Sequence, residues 1–292
     1  MPLERAQRLS SSTAISVPME LTRDRMLKEG ARPAIIITGA TSGIGKEIAR
    51  LAMLEDSFLL LVDDRRRQLD ELVAELTAQG ARAAGLAVDP AGTDALQSIE
   101  HVLAEHDLYC DVLVNNGARA LFGPAAGLAT GEHISLIDPN VRGLTELTLR
   151  FVPEMVLRGR GGVLNVGSIA GYMLGANMAV YAASKAFVNS FTAALATELA
   201  HKGVSVTCIA PGLGIRQFLQ GSSSAPAWLL NVIPPSNAFD AALAAWLAFK
   251  TGQRLVLPKL TIRLVVIASR LLRDTMLLLR FLGALQRPAQ RA

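Results

Sequence analysis

The sequence predicts an α/β fold, a doubly wound parallel sheet with helices on both faces. Three features of the 292 residues carry that expectation. Seven short runs are apolar with little interruption, as strands buried on both faces should be. Amphipathic stretches of helical period lie between them, the alternation that builds such a sheet. The first run also feeds a glycine-rich turn that opens the first helical stretch. With 51% hydrophobic content the chain suits one large domain with a sizeable core, though length alone also admits two smaller ones.

Taken in order, strands are expected at residues 34–38, 58–62, 82–88, 111–115, 162–167, 204–209 and 254–257. Helical stretches are expected at 43–54, 66–79, 93–105, 143–158 and 179–201. Residues 33–257 form the expected catalytic domain. Within it, residues 212–236 are rich in Gly, Ser, Pro and Ala and carry Trp228. A loop of that length is functional or disordered, and here it is read as the substrate loop. Residues 1–32 read as a polar N-terminal extension. They contain Arg5, Arg8, Arg23 and Arg25 but no apolar core of signal-peptide length. Glu4, Glu20, Asp24 and Glu29 weaken a transit-peptide reading.

Charge is unevenly spread. Residues 254–292 carry eight Lys and Arg against one acid, Asp274, a net of +7, which leaves −3 of the overall +4 for the rest. The basic character therefore belongs to the tail, and no nucleic-acid partner is expected for the body. Cys110 and Cys208 are too few for a disulfide framework and read as reduced core thiols of a cytoplasmic protein. His101, His106, His133 and His201 show no ligand spacing, so no metal site is expected.

The turn reads Thr38-Gly39-Ala40-Thr41-Ser42-Gly43-Ile44-Gly45 and follows the run Ala34-Ile35-Ile36-Ile37. A strand before and a helix after make it a phosphate-binding turn. Gly39 permits the tight bend, bare backbone at Gly43 and Gly45 lets a pyrophosphate approach, and the helix start offers free N–H groups. Gly39, Ser42, Gly43, Ile44 and Gly45 are thus expected to bind a dinucleotide. The second strand ends at Asp63-Asp64, carboxylates suited to the adenosine ribose hydroxyls and hostile to a 2′-phosphate. Arg65-Arg66-Arg67 follows, either as the solvated first turn of the next helix or as a 2′-phosphate site. With no cation inside the glycine turn, NAD(H) is the expected cofactor and NADP(H) the alternative. Asp89 ends the third strand, where it can meet the adenine edge, and Asn116 ends the fourth, at the carboxyl edge where ligands bind.

Tyr181 and Lys185, at i and i+4, share one face of the helix at 179–201. A free tyrosine titrates at about 10, and a neighbouring ammonium favours the phenolate and lowers that value. Lys185 can also reach cofactor ribose hydroxyls. Ser168, just past a strand, can donate to a substrate oxygen as charge develops there. A dinucleotide turn plus this acid–base group points to hydride transfer between a nicotinamide and a carbinol or carbonyl carbon.

On these residues the chain resembles the short-chain dehydrogenase/reductase family, in its branch with the Tyr-x-x-x-Lys motif. The matching segments are 38–45, 115–118, Asn140, Ser168, 181–185 and Pro211-Gly212. The resemblance implies a Rossmann-like, seven-stranded parallel sheet, a tetrad of Asn140, Ser168, Tyr181 and Lys185, and Pro211 and Gly212 beside the cofactor. It implies that Asn140 holds a water linking the lysine to solvent, and that the chain forms a homodimer or homotetramer. Three departures stand out. Gly117 and Ala118 exchange the family's Ala-Gly order, which puts an extra methyl at Ala118 on the cofactor side and is expected to loosen binding. Pro139 directly precedes Asn140 and should bend its helix. No threonine follows Pro211-Gly212 to hold the nicotinamide amide.

The tail places Arg263, Arg270, Arg273, Arg280 and Arg287 within an arc of roughly 120° at 3.6 residues per turn, opposite Leu, Ile, Val, Met and Phe. Residues 258–292 are therefore expected as a basic amphipathic C-terminal helix. It either makes peripheral membrane contact through residues 259–287 or packs on the body or a second subunit. A transmembrane span is disfavoured by the charges near its middle. The expected activity is NAD(P)-dependent interconversion of a lipophilic secondary alcohol with its ketone, or of an aldehyde. A non-catalytic dinucleotide sensor and a membrane-surface tether are the alternatives.

Overall fold

The computed structural model describes residues 30–173, 175–212 and 237–257. All its regular elements belong to the unit that begins at Arg32. The strands are β1 (Arg32–Thr38), β2 (Phe58–Asp63), β3 (Ala83–Ala87), β4 (Leu108–Asn115), β5 (Gly161–Val166), β6 (Val204–Ile209) and β7 (Leu255–Val256). They form one seven-stranded sheet in the order β3-β2-β1-β4-β5-β6-β7, parallel at every pairing. The order reverses between β1 and β4, the switch point where such sheets open a crevice for ligands.

The helices are α1 (Gly43–Ala52), α2 (Arg66–Ala78), α3 (Ala95–Glu105), α4 (Thr130–Ile137), α5 (Leu144–Arg158), α6 (Ala179–Glu198) and α7 (Ala238–Lys250). They cover both faces. Ile35, Ile37, Leu59 and Leu61 pack with Ile48 of α1, Leu72 of α2 and Trp246 of α7. Their strand neighbours Ala34, Ile36 and Leu60 face the other way, onto Ile99 of α3, Phe151 of α5 and Leu195 of α6. Side chains alternate across a strand, so a run apolar at every position fills two cores at once.

Three local differences from the sequence reading have physical causes. β4 begins at Leu108 rather than 111, because the register slips opposite Ala34 and Ile35 and leaves Asp111 as the extra residue of an irregularity. That carboxylate is buried and ion-paired to Arg160 at 3.0 Å, so a charge that reads as a boundary lies inside the strand. α4 and α7 are absent from the expected helices. α4 buries only Leu136, and α7 is alanine-rich with a weak polar stripe. Between α4 and α5 the chain forms a π-turn over Asp138–Gly143, the form taken by the bend expected at Pro139.

Residues 1–29, 213–236 and 258–292 lie outside the described residues. The expectations for the N-terminal extension, most of the substrate loop, the missing threonine and the amphipathic tail fall there. Among the described residues no helix is long and apolar enough to cross a membrane.

Candidate active site

The carboxyl ends of the strands open onto a cavity of about 440 Å³, reached by residues from Gly39 to Gly212. Its floor begins at the glycine turn. Gly39 has φ 59°, the left-handed region, and a side chain there would meet the Gly117 backbone at 2.6 Å. Ser42 caps α1, its Oγ accepting from the Gly45 N–H at 3.4 Å. Asn116 stitches the turn to the end of β4. Its Nδ2 shares its two hydrogens among Gly39 O (2.7 Å), Ser42 Oγ (2.8 Å) and Thr38 O (3.2 Å). Thr38 Oγ1 accepts in turn from the Asn116 and Gly117 N–H groups. Truncating Asn116 to alanine leaves those buried carbonyls short of a donor. The expected loss is about 2–3 kcal/mol of stability by urea unfolding, and a change under ~0.5 kcal/mol would contradict this reading.

Gly43 and Ile44 line the cavity, where the N–H groups of a first helical turn lack intrahelical partners and suit an anion. Gly45 carries a constraint of its own, since a side chain on it would collide with Gly39 O and the Asn116 amide. Its bare backbone lets the turn close on itself. The exchanged pair behaves differently, since a methyl at Gly117 would meet the turn only at ordinary contact distance, 3.4 Å from Gly39 N. Ala118 itself lines the cavity.

The buried Asp63 carboxylate accepts from Thr41 N (3.0 Å), Arg65 N (3.1 Å), Arg65 Nε (2.9 Å) and Arg65 Nη2 (3.2 Å). Burial pushes its pKa up, but the bonds from Arg65 and Thr41 win and hold it below the ordinary carboxylate value. Donors reach both oxygens, so Asp63 secures the turn and Arg65. Asp64 is the exposed member of the pair. Burial and the neighbouring Asp63 raise its pKa. Asp89 lines the cavity, accepts from Ala91 N at 2.9 Å and pairs with Arg119 at 3.4 Å.

Past β5 stands Ser168, in extended backbone, capping a short 3₁₀ turn through its bond from Ala170 N. It also hydrogen-bonds the Tyr181 side chain. Tyr181 and Lys185 project from one face of α6 and are both buried. Lys185 Nζ donates to Val166 O at 2.8 Å. Burial lifts the Tyr181 pKa to about 12 against the opposing bond to Ser168. It lowers that of Lys185 to about 8, with Cys208 opposing. Desolvation thus sets the direction for the phenol, and the bond from Ser168 opposes it in place of the expected lysine. The phenol is held neutral, while the ammonium still predominates at pH 7. The Phe122 ring lies 6.2 Å from that of Tyr181, tilted by 39°. Pro211 and Gly212 line the same cavity, and Pro211 O accepts from Ile169 N at 3.2 Å.

Asn140 is 1% exposed and does not line the cavity. Its Oδ1 accepts from Arg119 N (2.8 Å), while Nδ2 donates to Arg119 O (2.9 Å) and Ser184 Oγ (3.0 Å). Both amide hydrogens are used, so the side chain clamps the segment after β4 to α6. Sequence reasoning missed this clamp, the Asn116 stitch, Arg119 and Phe122. Only Asn116 carried a usable signal, its place at a strand end.

The chain belongs to the short-chain dehydrogenase family, whose model matches residues 33–223. It is 35% identical over 214 residues to sulfoacetaldehyde reductase 2 of Chromohalobacter salexigens, covering 71% of this chain and 84% of that protein. A short-chain dehydrogenase from Sphingobium yanoikuyae in complex with NADPH superposes with TM-score 0.72 at 28% identity, over 89% of this chain and 98% of that one. A 3-ketoacyl-(acyl-carrier-protein) reductase from Brucella melitensis complexed with NADH gives 0.66 at 27% identity, over 79% and 95%. The protein is thus an NAD(P)-linked oxidoreductase of Rossmann fold that acts on a small molecule.

Proposed function

We propose that this protein interconverts a lipophilic secondary alcohol and its ketone, or an aldehyde, with Tyr181 as the general acid and base. The observation that carries the reading is the buried Tyr181 hydroxyl bonded to Ser168 at the cavity wall, with Lys185 one helical turn on. The cavity residues fit a dinucleotide. Gly39, Ser42, Gly43 and Ile44 take the pyrophosphate, Asp64 the adenosine ribose, Asp89 the adenine, and Asn116, Lys185, Pro211 and Gly212 the nicotinamide half. Gly45 and Asp63 serve by shaping the turn. A bound reduced nicotinamide supplies the hydride. Tyr181, protonated at neutral pH, gives its proton to the carbonyl oxygen, and Ser168 donates a hydrogen bond to the same atom. The Lys185 ammonium favours the tyrosinate left behind. Asn140 keeps the segment beside Arg119 in place.

The substrate class rests on what surrounds Tyr181. Phe122, Ile169 and Met178 pack with it, and Tyr172 and Met173 lie against that cluster. The cations among the described lining residues are Arg65, Arg119 and Lys185, held by Asp63, Asp89 and Val166 O respectively. A small anionic substrate would have to break one of these pairs. Aryl, steroid and long-chain ketones are therefore expected to be reduced in a cofactor-oxidation panel. Turnover of small sugars or sulfonates with none of the apolar carbonyls would sink this assignment.

NAD(H) is the proposed cofactor because Asp64, the exposed carboxylate, repels a 2′-phosphate, while Arg65 is committed to Asp63. Asp64→Ala is expected to tighten NADPH binding about tenfold, ~1.4 kcal/mol, and to weaken NADH binding, which loses its ribose contact. NADPH binding that weakens in this variant would assign the opposite preference. Assembly as a homodimer or homotetramer, cytoplasmic placement and membrane contact through residues 259–287 remain parts of the proposal, to be read from sedimentation, fractionation and liposome binding.

A further inference from the structure

We infer that Asn189 is a positioning residue for Ser168, setting the serine hydroxyl against Tyr181; this rests on the proposed role of Ser168. Asn189 stands one turn beyond Lys185 on the buried face of α6 that carries Tyr181. Its Nδ2 donates to Ser168 O at 3.0 Å, and its Oδ1 faces the buried Cys208 thiol at 3.5 Å. A donor on one side and an acceptor on the other leave the amide one orientation.

Two independent features show that the site is built around this amide. Side chains at Gly167 or Gly171 would collide with the Asn189 carboxamide, so the residues bracketing Ser168 are bare where Asn189 lies. The second is a match of repeats. Lys185 bonds Val166 O and Asn189 bonds Ser168 O, two residues further along extended chain. Two residues of strand span about 6.6 Å and four of helix about 6 Å, so one helix face can hold alternate carbonyls of the strand end. The helix that carries the tyrosine thereby fixes the backbone that carries the serine. Without the Asn189 bond, the Ser168 carbonyl keeps only the Gly171 N–H of its own 3₁₀ turn, at 3.1 Å, and loses its tie to α6, so the turn can shift as a unit and carry the hydroxyl away from the substrate oxygen.

The test is a double-mutant cycle read with NADH and the best ketone of the panel above, on the full chain. Asn189→Leu removes the donor at similar volume, and Asn189→Asp replaces it with an isosteric acceptor should the leucine variant not fold. Either is expected to lower kcat about tenfold while the NADH Kd from fluorescence stays within about twofold. In a Ser168→Ala background the same change is expected to cost less than about twofold more, because the group it positions is gone. Equal losses in both backgrounds would overturn the inference and leave the proposed function standing. An undiminished kcat in Ser168→Ala alone would remove the serine from the proposed mechanism, and this inference with it.

Discussion

Replacing Tyr181 with phenylalanine is expected to cut turnover roughly 100- to 10,000-fold while NADH still binds, because the change removes one oxygen and keeps the ring. The ring packs against Phe122 and the surrounding apolar cluster, so the cavity wall should survive. The hydroxyl is the only group lost, and with it the proton that must reach the carbonyl oxygen. The pH dependence follows from the same burial. With the phenol pushed up to about 12 and the ammonium down to about 8, reduction should hold steady near neutrality. It should decline as pH rises through the Lys185 value, where the charge that favours the tyrosinate is lost. A sensor that binds dinucleotide without turning it over would respond to Tyr181→Phe with no change at all. Equal loss of cofactor binding and turnover would mean that the tyrosine is structural.

The second large effect is expected at Gly45. Alanine there should weaken NADH binding more than tenfold and destabilise the fold by about 1–3 kcal/mol, the usual range for overpacking. The methyl has no free direction, since it meets Gly39 O on one side and the Asn116 amide on the other. Moving either opens the turn that presents the first N–H groups of α1. Gly117→Ala is the control, because its methyl meets neighbours at ordinary contact distance. Calorimetry on the two variants should separate them clearly. Similar behaviour of both would show that the turn is held by something other than this packing.

What was legible in the sequence was local. A strand, a glycine turn and a helix follow one another without a break, so the phosphate turn at 38–45 could be read directly. Tyr181 and Lys185 share a face through helical period alone. The apolar runs of β1, β2 and β5 announced a two-faced sheet because successive positions along most of each strand are buried. What escaped depended on partners brought together by folding. Nothing in the run 63–67 announced that the bend after β2 turns the Arg65 guanidinium back onto Asp63. Spacing gave no sign that the segment after β4 brings Arg119, 21 residues away in sequence, onto the Asn140 amide. The Tyr181 pKa followed desolvation, which depends on what covers the ring and not on spacing along α6. Asn189 continued the 181/185 face by one more turn, a pattern visible in the sequence once the carbonyl it serves is known.

The most direct test of hydride transfer at this site uses NADH carrying deuterium at C4 on both faces, a purified sample and the aryl and long-chain ketone panel, with mass spectrometry of the alcohol product. The account predicts one deuterium on the carbinol carbon, absent with the Tyr181→Phe variant. Tight NADH binding with no labelled alcohol from any ketone or aldehyde would contradict it.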